Sequence, residues 1–187
     1  PVLALALLTL RAQNSGYLQL ERIPYAFYNS TLRLQPEFGI YDIESEQRFS
    51  IIADTGDEAI NAVQIALLFD PAAVEVKALE VASSTCSYVV ENMVDGASGR
   101  ADLSCVLLQS GGSRGSLHIA DVVVVPRRPG SFTLSFDMAD TKVLASDGLG
   151  TDVLRLAQSG SCRADVFALD ASATSSTAGR CFVLFSP

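Results

Sequence analysis

From about residue 30 onward, short apolar runs are broken by clusters of Gly, Pro, Asp and Ser at spacings of roughly ten to fifteen residues. This rhythm predicts strands joined by turns, as in an all-β sandwich, and not the strand–helix alternation of an α/β fold. Strands are expected over residues 31–35, 48–53, 62–69, 74–81, 87–92, 101–108, 117–125, 130–137, 166–169 and 182–185, with helix nearly absent. In the run SLHIADVVVVP, Leu117, Ile119, Val123 and Val125 alternate with His118, Ala120, Val122 and Val124, so both faces are mostly apolar. Such a strand belongs in the interior of a sheet with both faces partly covered.

The first ten residues, PVLALALLTL, carry no charge. They fall short of the ~20 apolar residues that a spanning helix needs. The run therefore reads as the end of a longer anchor, the core of a signal peptide, or a segment buried in protein; no A-x-A processing pattern follows it. Left exposed, it would aggregate. Val2, Leu3, Leu5, Leu7, Leu8 and Leu10 are thus expected to pack against copies of the chain, giving a homopolymer, with membrane contact as the other outlet. Leucine and alanine dominate and the β-branched residues are only Val2 and Thr9, which favours a helix over an inserted strand. The expected organisation is an N-terminal anchor or assembly element with linker over 1–29, a sandwich over 30–170, and an extension with a final strand over 171–187.

Composition narrows the function. Hydrophobic residues make up 49% and charged residues 18%, which excludes wholesale disorder, and a net charge of −8 excludes a nucleic-acid footprint. Lys77 and Lys142 are the only lysines among thirteen basic residues, so no polybasic patch exists to hold an anionic membrane. The four cysteines fall as Cys86 with Cys105 and Cys162 with Cys181, each pair 19 positions apart and neither in zinc or thioredoxin spacing. Two sequence-local disulfides are expected, placing the chain in an oxidising compartment, outside the cell or on its surface. Asn29-Ser30-Thr31 is a glycosylation sequon with Asn29 as acceptor.

Candidate chemistry is sparse. GGSRG, residues 111–115, fits the G-x-S-x-G pattern around Ser113, but a strand follows where a hydrolase needs a helix, and the single histidine, His118, lies in that strand. A Gly-rich loop is the better reading, and the chain is not expected to be an enzyme. His118 alone cannot build a histidine-rich metal site. In KVLASDGLGTDVL, Asp147 and Asp152 could offer oxygens to calcium, with Thr151 beside them and Gly148 and Gly150 allowing a tight turn. The spacing fails the EF-hand pattern, and an Asp-Gly turn whose side chains bond back to the main chain competes with it. No other cofactor is indicated.

Four stretches together resemble cohesin-like domains, including the version found in bacterial surface proteins: STLRLQPEFGIYDIESEQRFSIIADT, INAVQIALLFDPAAVEVKALE with its Asp70-Pro71 turn, GSLHIADVVVVPRRPGSFTLSF, and VLASDGLGTDVL. The resemblance covers about residues 30–170; the cysteine pairs and the C-terminal stretch are departures from it. It implies a jelly-roll-like sandwich of about nine strands, related in fold to carbohydrate-binding modules and without catalysis. It also implies a protein partner, since cohesins bind dockerin modules through one sheet face. The expected function is an extracellular interaction or structural module, an assembling subunit of a surface appendage. The alternatives are a dockerin receptor or a carbohydrate-binding module. The latter stacks sugars on exposed aromatics. Against it, the chain has no Trp, and Tyr17, Tyr25 and Tyr28 precede the sandwich.

Overall fold

Alternating side chains set the architecture. In the segments Ser30–Gln35, Gln47–Asp54 and Arg100–Val106 every second residue is buried, so Leu32, Leu34, Phe49, Ile51, Leu103 and Cys105 all turn to one interior. Period-two burial on several strands is satisfied by two sheets laid face to face. The computed structural model describes residues 29–165, plus a short antiparallel pair, β1 (Arg11–Ala12) and β2 (Leu18–Gln19). The run 1–10 and the strands expected at 166–169 and 182–185 lie outside the described residues.

The sandwich strands are β3 (Ser30–Gln35), β4 (Phe38–Asp42), β5 (Gln47–Asp54), β6 (Ile60–Leu68), β7 (Val74–Val81), β8 (Tyr88–Asp95), β9 (Arg100–Val106), β10 (Ser116–Pro126), β11 (Gly130–Phe136), β12 (Lys142–Ala145), β13 (Leu154–Gln158) and β14 (Gly160–Asp165). A five-stranded sheet runs β13-β3-β5-β10-β7. A seven-stranded one runs β4-β14-β11-β6-β9-β8, with β12 also on β6. The structure thus adds β4, β12, β13 and β14 to the strands expected from sequence. Three of the additions continue other strands. β3 passes Pro36 into β4 in the opposite sheet, β13 likewise becomes β14, and β11 and β12 lie in line along one edge of β6. Counted as continuous paths, the strands number about nine, and the architecture is the all-β sandwich the sequence implies.

The sheet-crossing strands close one side of the sandwich. β13 pairs parallel with β3, and β14 parallel with β4, so the first and last strands run together through both sheets. Phe49 of β5 sits in the middle of the interior, edge-on to Tyr41 (centroids 5.7 Å apart) and to Phe132 (6.4 Å), both from the other sheet. On the opposite side the two edge strands, β7 and β8, are bridged by Asn92, whose Nδ2 donates to the Leu79 carbonyl at 3.0 Å.

β10 departs from the simple alternation read from its sequence. Its register against β5 slips between His118 and Ala120, so that Ile119 and Ala120 are both fully buried. Ile119 therefore joins Ala120, Val122 and Val124 in the core and does not share a face with Val123 and Val125, because the bulge adds one residue to the strand. Both faces are covered as expected: Val123 and Val125 are buried too, and β10 is flanked by β5 and β7.

Phe49 and Leu149 make a paired test. Phe49→Ala should lower the unfolding free energy by about 3–5 kcal/mol in urea titration, because the ring is fully buried among side chains of both sheets. Leu149→Ala, at 85% exposure, should change it by less than about 0.5 kcal/mol.

Candidate functional site

The two outer faces of the sandwich differ in kind. On the five-stranded sheet the charges pair with one another, within strands and across them: Arg33 with Asp54 at 3.9 Å, Arg48 with Glu80 and Glu46, and Glu75 with both Lys77 and Arg127. Asp121 accepts from Ser50 Oγ at 2.6 Å and lies 2.8 Å from His118 Nε2. Burial works to raise the Asp121 pKa, but the bonds from Ser50 and His118 outweigh it and leave the carboxyl below its usual range. The carboxylate stands between hydroxyl and imidazole, so His118 bonds Asp121 and not Ser50, and the trio lacks the Ser–His contact of a catalytic triad.

The seven-stranded sheet is different. Register places Ala62, Val106 and Tyr88 in one row, then Gln64, Ser104 and Glu91, then Ala66, Asp102 and Met93, then Leu68, Arg100 and Asp95. Residues opposite one another across a ladder share a face. Because Ala101, Leu103 and Cys105 of β9 point into the core, these rows form the outer face. Most of the large apolar side chains left exposed among the described residues lie here or at its rim, including Leu68, Tyr88 (63%), Val90 (64%), Met93 (51%) and Leu108 (73%).

Local chemistry holds this face in shape. Arg100 bonds Asp102 through Nε at 2.9 Å, Asp137 at 3.2 Å and Asp140 at 2.8 Å, tying the β11–β12 connection to β9. Bonds first to Asp102 and then to Asp140 raise its pKa further, so the cation is fixed. The buried Thr141 hydroxyl meets both the N–H and the carbonyl of Ala66. At the β8–β9 turn, Asp95 accepts from the Ala97 and Ser98 amides. Gly99 follows at φ 70°, where a Cβ would lie 2.2 Å from the Phe69 carbonyl oxygen.

β8 itself buries almost nothing, since every side chain except the partly covered Val94 is exposed. Its attachment comes from the β9 ladder, from Asn92, and from the expected disulfide Cys86–Cys105, whose Cα atoms are 5.6 Å apart. Closing a loop of this length is worth about 3 kcal/mol in the chain-entropy model. Cys162 is buried on β14, and Cys181 lies outside the described residues.

Other residues singled out from the sequence fall away from this face. Ser113 is buried in its loop, donating to Gln109 Oε1 at 3.1 Å, whereas His118 bonds Asp121; the two do not form a pair. Asp147 accepts from the Leu149 amide at 2.8 Å and from the Thr151 hydroxyl, and Asp152 Oδ1 accepts from the amides of Val143 and Leu154 at 3.2 and 3.0 Å. Both carboxylates therefore close the loop onto main chain and hydroxyl. Among the described residues no group of three or more His, Cys, Asp or Glu is placed to hold a metal. Asn29 is exposed just before β3. Val2, Leu3, Leu5, Leu7, Leu8 and Leu10 lie outside the described residues. The outer-face surface was missed in the sequence; its signal was YVVENMVD, apolar at positions that a half-buried strand would keep polar.

No protein-family model matches the chain, and no curated protein matches it. Solved structures do. The seventh ScaB type I cohesin from Pseudobacteroides cellulosolvens aligns at 16% identity over 74% of this chain and 94% of its own, with a TM-score of 0.61. A Coh-OlpC module from Clostridium thermocellum aligns at 12% over 75% and 96%, with a TM-score of 0.63. A non-cellulosomal cohesin from the archaeon Archaeoglobus fulgidus aligns at 14% over 73% and 91%, with a TM-score of 0.57.

Two tests follow. Hydrogen bonds hold three carboxyls below their usual range: Asp95 through the Ser98 hydroxyl and then the Ser98 and Ala97 amides, Asp147 through the Thr151 hydroxyl and then the Leu149 amide, and Asp121 as above. A depressed folded-state pKa gives stability that is present above the unfolded value and lost as pH falls through the folded one. The urea midpoint should therefore be level down to about pH 4, near the unfolded Asp value, and then fall, with a shallower fall in Asp95→Asn. Separately, calcium or a chelator should leave the melting temperature unchanged; a rise growing with the logarithm of calcium concentration would instead make Asp147 and Asp152 ligands.

On these structural matches, the chain has the fold of cohesin modules.

Proposed function

We propose that this chain is a non-catalytic protein–protein interaction module that works outside the cell, joining proteins at a surface and assembling with copies of itself. The observation that carries the reading is the unequal pair of faces: one sheet has its charges paired internally, while the other leaves Leu68, Tyr88, Val90, Met93 and Leu108 open around a rigid floor. Apolar side chains concentrated on one side of a domain mark a docking surface. The fold supports a protein as the occupant, since the Coh-OlpC module it resembles was solved as a cohesin–dockerin complex with Doc435. The Cys86–Cys105 disulfide supports an oxidising location.

Self-assembly rests on a different part of the chain, the uncharged run of residues 1–10, which lies outside the described residues. A sugar platform has less support. Among the described residues the strongly exposed aromatics are Tyr88 and Phe38, on strands at opposite edges of the seven-stranded sheet, too far apart to stack neighbouring rings.

The test compares the full chain with one lacking residues 1–10, by light scattering and electron microscopy, alongside a glycan array. The full chain should assemble, the truncated one should stay monomeric, and neither should bind glycans. Equal assembly of both, or a monomeric full chain, would remove the self-assembly reading. Saturable binding to a polysaccharide would replace protein recognition with carbohydrate binding.

A further inference from the structure

Resting on that reading of the seven-stranded sheet as the docking side, we infer that the free edge of β8 takes up an extended segment of a different protein as an added strand. That segment carries basic residues on its outer side and apolar ones on its inner side.

Among the described residues β8 pairs with β9 alone, so one edge of an eight-residue strand presents unpaired main-chain N–H and C=O groups. Such a row is a template for another strand, and proteins guard it with charged side chains, Lys above all, with Pro, with bulges or with short length; an acidic guard repels like charge and admits a basic strand. The other edges here are guarded. β7 carries Lys77, β13 carries Arg155, and β4 has five residues and follows Pro36. β8 has no Lys, Arg or Pro. Its one irregularity, the register shift between Val89 and Glu91, leaves Glu91 to Asp95 in regular pairing.

The edge is also preformed. The Cys86–Cys105 bridge, the Asn92 bond to β7 and the Asp95 turn fix a strand that burial alone would not hold. A rigid edge spares the ordering cost that a mobile one would incur on binding.

Charge selects the occupant. Glu91 and Asp95 are the charged residues of β8, and both stand on the outer face, with Met93 between them and Asp102 beside Met93 on β9. Opposite charges across a ladder stabilise it and like charges oppose it. The β8 of a second copy would set acid against acid. Asp95 is already bonded within its turn and Asp102 to Arg100, whereas among the described residues no salt bridge engages Glu91, and a basic strand would place a cation beside it. On the inner side the register places Val89, Asn92 and Val94, and Val94 with Val81 of β7 packs on the core while staying partly open. Apolar residues of the added strand would cover them. This mode binds main chain at an edge and is separate from a partner resting on the flat of the sheet.

The test uses the full chain and three heptapeptides: alternating Val and Lys, the same with Glu for Lys, and the Lys form with alternate amides N-methylated. Affinity is read by fluorescence anisotropy, and the bound site by hydrogen exchange. The Lys peptide should slow exchange across residues 88–95 and bind at least about threefold tighter than the Glu peptide. N-methylation should abolish binding, and Glu91→Lys, at an exposed position, should reverse the charge preference. Slowed exchange confined to β6 and β9 would overturn the edge site while leaving the docking side intact. Equal binding of both charges, survival of binding after N-methylation, or no binding would overturn it outright. So would protection of residues 88–95 in the peptide-free chain that disappears on dilution, which would make a second copy the occupant.

Discussion

Burial of one apolar layer between two sheets is the interaction on which the rest of this structure depends. Phe49, reaching from β5 to Tyr41 and Phe132 across the interior, stands at its centre, and Leu32, Leu34, Ile65, Leu67 and Leu103 fill out both inner faces. Each such side chain contributes about 1.5–3 kcal/mol when fully buried. A layer of this kind must also be sealed at its sides, and the two sides are sealed by different means. Where β3 becomes β4 and β13 becomes β14, the main chain itself crosses between the sheets. Where β7 faces β8 there is no crossing strand, so a side-chain bond and a disulfide take over.

That asymmetry explains why the exposed apolar surface lies where it does. A strand held by burial must give up every second side chain to the core, as β3, β5 and β9 do. A strand held by its ladder and a covalent bridge can turn its side chains outward, as β8 does. The disulfide therefore relieves β8 of having to give every second side chain to the core. The outer face of the five-stranded sheet is spent on internal ion pairs and on the Ser50–Asp121–His118 bonds, which leave few charges there to meet another molecule.

The sequence made the alternating strands legible because period-two burial leaves a direct trace: residues 31–35, 48–53, 62–69, 74–81 and 101–108 are read within a few positions of β3, β5, β6, β7 and β9. It hid β4, β12, β13 and β14 for a physical reason. These are short and half-exposed, and all four take their pairing from strands far away in the chain, three of them in parallel ladders. The β10 bulge was equally silent, since Ile119 and Ala120 are both apolar and either alternation puts an apolar residue inside. The exposed apolar surface was the least legible part. Its apolar residues look like core in a one-dimensional reading, and only the position of β8 at an edge turns them into surface.

The loop from Asp147 to Asp152 is constrained by its backbone in a way that the core is not. Gly148 and Gly150 both adopt positive φ, at 74° and 72°, which other residues reach only with strain. Asp147 then bonds across the turn, and Asp152 bonds the amides of Val143 and Leu154, stitching β12 to the start of β13. Those bonds set the point from which β13 must run parallel to β3 before crossing into β14. A core can be refilled by many combinations of Val, Leu and Ile without moving its strands. A turn that requires two left-handed residues and two correctly placed carboxylates has few substitutes, so its sequence is far more constrained than that of the strands it joins.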